Sequence, residues 1–157
     1  MAKYSAMDIA RWFIHRNSVD VNNCEDEKMT LLKLLKLLYY AEGCFLALDK
    51  GSLFDEKIVA WEHGPVVEEV WRNFDDAFDL KVEDNDMSYS LSKISKEDSA
   101  LLEDVYSVFG KYSASGLRNK THSESPWLDA TDGGRKFNSE ISRDSISRYF
   151  KEHYVQN

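Results

Sequence analysis

The chain has 157 residues, of which 43% are hydrophobic and 13% are aromatic, and its formal net charge is −8. This apolar content excludes a disordered chain, and the length is sufficient to bury a core, so we expect one domain over residues 1–157. We place its core at about 6–152 and a frayed C-terminus at 153–157. The negative charge disfavours tight binding to nucleic acid, because phosphates are neutralised by Lys and Arg, and it favours a basic partner.

Two segments open the chain. Residues 6–16 carry apolar side chains on one side of a helical projection, which predicts a first helix, and residues 17–26 are predicted to be a polar linker. Neither contains the uninterrupted apolar run of a secretory signal, so we expect a cytoplasmic protein. The two cysteines are too few and too isolated to indicate a disulfide framework or a zinc site.

The longest apolar stretch covers residues 29–48 (MTLLKLLKLLYYAEGCFLAL). A helix that is apolar nearly all round is either a membrane span or the centre of a core. Lys33, Lys36 and Glu42 fall inside it, and a charge at the centre of a bilayer costs about 2.5–3.5 kcal/mol on insertion scales. We therefore predict a buried central helix over about 29–49 and no membrane segment, with the two lysines on one narrow solvent-facing stripe.

A compact turn unit follows the central helix. Residues 57–63 alternate in polarity, which predicts a short strand or extended segment. Gly64 and Pro65 then mark a tight turn, and Pro65 suits the first position of a helix because its missing N–H costs nothing there. The apolar spacing of residues 66–74 predicts that this helix follows directly.

The second half of the chain is predicted to be mostly helical. Acidic residues 75–90 are predicted to form a loop, with a small hairpin that pairs 79–82 with 89–91. The later predicted elements are a helix at 95–112 with a capping box, a short helix at 113–121, a turn at 126–128, and a last helix capped by Ser139 or Ser142. The fold class is therefore mainly α: a compact helical domain around the central helix, with a small β-strand or hairpin component.

No catalytic or metal motif is present in the sequence. It contains no HExxH, no GxSxG elbow, no phosphate-binding loop and no dinucleotide fingerprint. His122, Ser123 and Glu124 form an adjacent base, nucleophile and acid, but a triad is recognised by geometry, and neighbouring residues rarely point at one another. We expect no enzyme activity, no metal and no cofactor, with a hydrolase that uses His122 and Ser123 as the alternative.

Three tryptophans lie beside turns: Trp61, Trp71 and Trp127. Tryptophan is enriched in the energetic centres of protein interfaces, so these residues indicate a binding surface. The alternative is that they belong to the core or to its half-buried edge.

A set of motifs in a fixed order now resembles a known family. The motifs are 34–43 (LLKLLYYAEG), 53–56 (LFDE), 60–67 (AWEHGPVV) with 70–71 (VW), and 121–127 (THSESPW). Together they resemble the Panacea domain, the SocA-like and GepA-like group of phage-associated antitoxins. The resemblance runs from about residue 1 to residue 150, and Trp71 stands where the family more often has Tyr.

The resemblance implies a chiefly helical antitoxin of a bacterial or prophage toxin–antitoxin system, which neutralises a cognate protein toxin by binding it. Many toxins paired with this family inhibit translation or attack membranes, and the acidic charge here favours a basic, translation-targeting one. A SocA-type relative implies the alternative of an adaptor that delivers its toxin to a protease. Because the first helix is predicted to begin near residue 6, we expect no added N-terminal DNA-binding segment.

The candidate partner-binding site centres on the turn at Gly64 and Pro65. Lying between an extended segment and a helix, this turn would hold nearby side chains in fixed directions. The predicted partner-binding residues, or their rigid support, are Trp61, His63, Gly64, Pro65, Glu69, Trp71, His122 and Trp127. The alternative is that these residues only build the core.

Overall fold

The computed structural model describes residues 2–25, 27–74 and 80–155. Its helices are α1 (Ala6–Asn22), α2 (Leu31–Ala47), α3 (Glu68–Phe74), α4 (Asp84–Lys93), α5 (Lys96–Phe109), α6 (Ala114–Thr121), α7 (Ser125–Ala130) and α8 (Arg143–His153). Its strands are β1 (Ile58–Trp61), β2 (Gly64–Val67) and β3 (Ser139–Glu140), which form an antiparallel sheet in the order β2-β1-β3. The prediction of a mainly α fold with a small β component is confirmed.

Helix α2 lies at the centre of the molecule, as predicted. The Thr30 hydroxyl caps it by accepting a hydrogen bond from the backbone N–H of Lys33. Helices α1, α3, α5, α6 and α8 and strand β2 all pack against it. Gly43 permits the approach of α8, because a Cβ at this position would lie 2.4 Å from the Phe150 ring of α8. No helix among the described residues is long and apolar enough to cross a bilayer.

The predicted stripe of two solvent-facing lysines on α2 is wrong. Lys33 is half-buried, and its Nζ donates a hydrogen bond to the Gly110 carbonyl at 2.5 Å. Lys36 is fully buried. The physical reason is that the β1–β2 hairpin crosses α2 at this point and brings Gly64 over the Lys36 side chain. Helical periodicity alone does not contain this long-range contact.

The predicted helix directly after Pro65 is also wrong, because residues 64–67 form strand β2 and the helix begins at Glu68. Strand β2 pairs with β1 in the register Trp61 with Gly64 and Ile58 with Val67. Since β2 is an edge strand, Pro65 can lie in it without removing a hydrogen bond from the middle of the sheet.

Two polar segments are helical where the sequence predicted a linker and a loop. Helix α1 continues to Asn22, and the buried Asn17 side chain joins it to residues 27 and 29 through hydrogen bonds to the Glu27 carbonyl and from the Met29 N–H. Helix α4 replaces the second half of the predicted loop 75–90 and excludes the predicted hairpin with 89–91; residues 75–79 lie outside the described residues. Its buried Ser90 donates to Asp8 of α1 at 2.8 Å.

The C-terminal end is ordered further than predicted. Helix α8 includes His153, and Tyr154 continues with a backbone hydrogen bond to the Phe150 carbonyl. The Tyr154 hydroxyl donates to the buried carboxylate of Glu124. The predicted frayed segment 153–157 is therefore anchored at its start, and residues 156 and 157 lie outside the described residues.

Candidate functional site

The eight residues predicted as a site lie around the β1–β2 hairpin at two depths. The members that reach the surface are the half-buried Trp61 and Trp71 and the exposed His63 and Glu69. The members beneath them are the buried Gly64, Pro65 and Trp127 and the half-buried His122. The structure thus divides the predicted set into a surface layer and a supporting layer.

The surface layer contains an aromatic cleft. Trp61 ends β1 and Trp71 lies on α3, and their rings meet edge to face with centroids 5.4 Å apart and planes at 73°. The cleft beside them has a volume of about 240 Å³ and is lined by Leu31, Leu32, Leu35, Trp61, His63, Val66 and Trp71. The leucines come from the first turns of α2. Such a lining, apolar with one polar side chain, suits an apolar group from another molecule.

Charged side chains lie near this cleft, on the hairpin turn and on α3, where those of α3 line an adjacent depression with Glu56 and Lys57. Glu62 follows Trp61 in the turn and is exposed. On α3, Arg72 lies between two carboxylates, at 3.6 Å from Glu68 and 3.1 Å from Glu69. The predicted site residue Glu69 is therefore already in an exposed ion pair, which contributes little to stability.

The supporting layer fixes the hairpin from behind. The indole Nε1 of Trp127 donates a hydrogen bond to the Trp61 carbonyl at 2.9 Å. The His122 ring stacks on Trp127 with centroids 3.9 Å apart and hydrogen-bonds to the Glu62 backbone. Two backbone groups of the turn are thus held by side chains of the α6–α7 region, so the direction of the Trp61 side chain is defined.

Gly64 has a structural requirement of its own. Its φ of +115° is a conformation that side-chain-bearing residues rarely adopt, and a Cβ here would lie 2.5 Å from Lys36 Cε and 2.9 Å from Thr121 Oγ1. Among the described residues, Lys36 Nζ has no hydrogen-bond partner, and neither has His122 Nε2. Burial, with the charge of Arg118 nearby, lowers the pKa of Lys36 from 10.5 to about 7. Burial and Arg118 also lower the pKa of His122.

Sequence reasoning missed a buried cluster around Glu124. This carboxylate accepts hydrogen bonds from the hydroxyls of Tyr39 at 3.0 Å, Tyr40 at 3.2 Å and Tyr154. Burial raises the pKa of Glu124, although the three donors act in the opposite direction. The tyrosine doublet in the central helix was the available signal, since a buried tyrosine hydroxyl requires a partner.

A second buried carboxylate, Glu42, joins α2 to α8. It accepts a hydrogen bond from the Leu53 N–H at 2.7 Å and two from the Arg143 guanidinium at 2.9 and 3.0 Å. Arg143 also donates to the carbonyls of Phe54 and Glu56. Burial raises the pKa of Glu42, and these partners oppose that effect.

The adjacent His122, Ser123 and Glu124 do not form a catalytic arrangement. His122 is bonded to the Glu62 backbone, the Ser123 hydroxyl donates to the Lys120 carbonyl, and Glu124 is enclosed by tyrosines. Each side chain therefore has a separate partner. Within 2–25, 27–74 and 80–155, no group of three or more His, Cys, Asp or Glu side chains is placed to hold a metal ion.

Comparison with known proteins identifies the family. A family model described as the SocA-like antitoxin Panacea domain matches residues 34–128, which is more than half of the chain. The chain belongs to this Panacea family. The Panacea match extends from α2 to α7 and includes all eight predicted site residues. No curated protein and no solved structure gives a significant match.

The Panacea motifs are bonded to one another. The tyrosines of 34–43 donate to Glu124 of 121–127, and Glu42 of the first motif accepts from the N–H that begins 53–56. The backbone of 60–67 is held by Trp127 of the last motif. Most of the residues that carry the family pattern therefore build the scaffold.

Proposed function

We propose that this Panacea protein is an antitoxin that neutralises a cognate protein toxin by binding it directly, without catalysis. The family match supports an antitoxin role. The observation that carries direct binding is the aromatic cleft, because half-exposed tryptophans over an apolar floor are typical of the energetic centre of a protein interface. The separate partners of His122, Ser123 and Glu124 argue against the hydrolase alternative.

We propose different roles for the two layers of the predicted site. Trp61, His63, Glu69 and Trp71 contact the toxin in this proposal. Gly64, Pro65, His122 and Trp127 hold the hairpin in the geometry that presents them. This division rests on their burial and on the hydrogen bonds behind the hairpin.

The net charge of −8 supports a basic toxin, of which translation inhibitors are one class, and disfavours strong nucleic-acid binding by this protein. We propose that the complex forms in the cytoplasm. We also propose that residues 1–157 act as one domain, because α1 and α8, from opposite ends of the chain, both pack on α2.

The test is co-expression with the protein encoded by the adjacent gene, with growth rescue and co-purification scored in the same strains. Wild-type protein should restore growth and co-purify with its neighbour. Trp61→Ala should lose both while the chain stays folded, because the Trp127 indole bonds the Trp61 carbonyl, which the variant keeps, and the ring contact that is lost is the one with Trp71. Tyr89→Ala removes an exposed aromatic on α4 and should behave as wild type.

Other results would redirect or overturn this proposal. Rescue without a complex, with the neighbour disappearing in a protease-dependent way, would indicate an adaptor. Loss of rescue with His122→Ala and Ser123→Ala together, at unchanged toxin binding, would indicate catalysis. A neighbour that is harmless when expressed alone would remove the antitoxin role in that pair.

A further inference from the structure

The cleft has the size of a pocket for one side chain. Its volume is about 240 Å³, and an apolar cavity of about 150 Å³ in another protein accommodates benzene. The edge-to-face pair of Trp61 and Trp71 forms one wall, and α2 leucines form the floor. An inserted aromatic ring or branched aliphatic chain would therefore be enclosed on several sides.

The charged side chains near the cleft, on the hairpin and α3, are mostly acidic. Those of α3 line an adjacent depression together with Glu56 and Lys57. In this region four carboxylates are set against two cations: Glu56, Glu62, Glu68 and Glu69 against Lys57 and Arg72. Glu62 has no ion pair among the described residues. Glu68 lies one helical turn before Trp71, so its charge is next to the aromatic wall. Lys36 is buried beneath Gly64 and offers no exposed positive charge here.

We propose that the cleft receives one large apolar side chain from a basic segment of the partner protein, with Lys or Arg on either side of it facing Glu62 and Glu68. This inference rests on the proposed function and adds the chemistry of the partner segment. Apolar burial supplies the affinity, and the acidic border selects basic flanking residues over acidic ones.

The test uses short peptides and no toxin, so its result is independent of growth rescue. The probe is the acetylated, amidated peptide Gly-Lys-Lys-Phe-Lys-Lys-Gly, titrated into the ¹⁵N-labelled full chain while the four tryptophan indole N–H signals are followed by NMR. The signals of Trp61 and Trp71 should shift with a dissociation constant on the order of 1 mM. The signal of Trp12, which donates to Ser99 on α5, should stay in place.

Two control peptides separate the apolar term from the charge term. Replacing Phe by Ala, or all four Lys by Glu, should weaken binding about tenfold or more. Equal shifts with the acidic peptide would overturn the charge argument. Equal shifts with the alanine peptide would overturn the pocket argument.

Protein variants provide the matching controls. Trp71→Ala should abolish binding of the basic peptide, whereas Tyr89→Ala should retain it, with unchanged circular dichroism for both. The double variant Glu62→Lys, Glu68→Lys should remove the preference for the basic over the acidic peptide, while Asp104→Lys on α5 should keep it. Indole shifts that depend on protein concentration without any peptide would overturn the proposal, because a second copy of the chain would then occupy the cleft.

Discussion

Lys36 is a buried amine at the point where the hairpin crosses the central helix. Its Nζ has no hydrogen-bond partner among the described residues, and its pKa falls from 10.5 to about 7 through burial. Between these two pH values the unfolded state binds more protons than the folded state. The free energy of unfolding should therefore rise as the pH increases from about 7 towards 10.

We expect Lys36→Met to raise the free energy of unfolding at pH 7 by about 1–4 kcal/mol, because a buried unpaired amine is replaced by an apolar side chain of similar length. The variant should also lose the rise in stability above pH 7. Urea denaturation at pH 7 and pH 9.5 measures both effects.

Lys33→Met is the matched control on the same helix. Lys33→Met should not raise the free energy of unfolding, because Lys33 Nζ donates a hydrogen bond to the Gly110 carbonyl, which the variant loses. A lower free energy of unfolding for Lys36→Met would show that its amine stabilises the fold, which contradicts this interpretation.

The sequence predicted that Lys36 would face solvent, and the error has a clear origin. In a helix with apolar residues nearly all round, lysine is the natural choice for the solvent side. What buries Lys36 is Gly64, 28 positions later in the chain. In contrast, Tyr39 and Tyr40 were correctly assigned to the buried helix, but their common partner Glu124 lies too far along the chain for a local pattern to reveal it.

At the scale of elements, α8 is joined to α2 through Arg143 and Glu42. Arg143 gives two hydrogen bonds to the fully buried Glu42 carboxylate and two to backbone carbonyls at residues 54 and 56. A buried carboxylate is tolerated only while its counter-charge is in place. This pair therefore controls whether α8 can remain packed on the core.

We expect Arg143→Met to lower the free energy of unfolding at pH 7 by about 3–5 kcal/mol, because Glu42 is left with a buried, uncompensated charge. Burial already raises the pKa of Glu42, and loss of Arg143 raises it further. The folded state then binds more protons than the unfolded state, so part of the deficit should be recovered as the pH falls through the raised pKa. Urea denaturation of the variant and the wild type at pH 7 and pH 5 measures both the deficit and its partial recovery.

Lys151→Met is the control for this prediction, since Lys151 is also on α8 but pairs with Asp49 at the surface. Lys151→Met should change the free energy of unfolding by less than about 1 kcal/mol at either pH. An Arg143→Met deficit that grows on acidification would contradict the role assigned to Glu42.

Short-range signals predicted some elements well and misassigned others. The serine caps at Ser95, Ser113 and Ser142 lie where the sequence indicated helix starts, and each accepts the capping hydrogen bond. Pro65 was misassigned because a proline after glycine suits both a helix start and an edge strand. The choice is made by pairing with β1, which is not a local property. Helix α4 was missed because it buries little apolar surface of its own, and its buried residue is the polar Ser90.

At the scale of the whole molecule, helices from both ends of the chain share one partner. Helix α1 and helix α8 pack on α2, and the buried hydrophobic residues from Tyr4 to Phe150 form one cluster. The sequence predicted this central helix and the fold class, because an all-round apolar helix has to be covered. It did not predict which elements cover which side, since the Glu124 and Glu42 bonds that fix those sides join distant residues.

We expect the chain to unfold in one cooperative transition, because no end of the molecule can separate without exposing α2. Urea unfolding should give the same midpoint by far-ultraviolet circular dichroism, which follows the helices, and by tryptophan fluorescence, which follows the hairpin region and α1. Two separate midpoints would show that the chain contains two units and would contradict the one-domain proposal.

The central position of α2 also has a consequence during synthesis. The helix is complete at residue 47, whereas the Phe150 ring that covers Gly43 is added more than 100 residues later. At a synthesis rate of about 5–20 residues per second this interval lasts roughly 5–20 s. Until it ends, the side of α2 that Phe150 covers has no partner from α8. We therefore expect a chain cut short before α8 to aggregate more readily than the full chain.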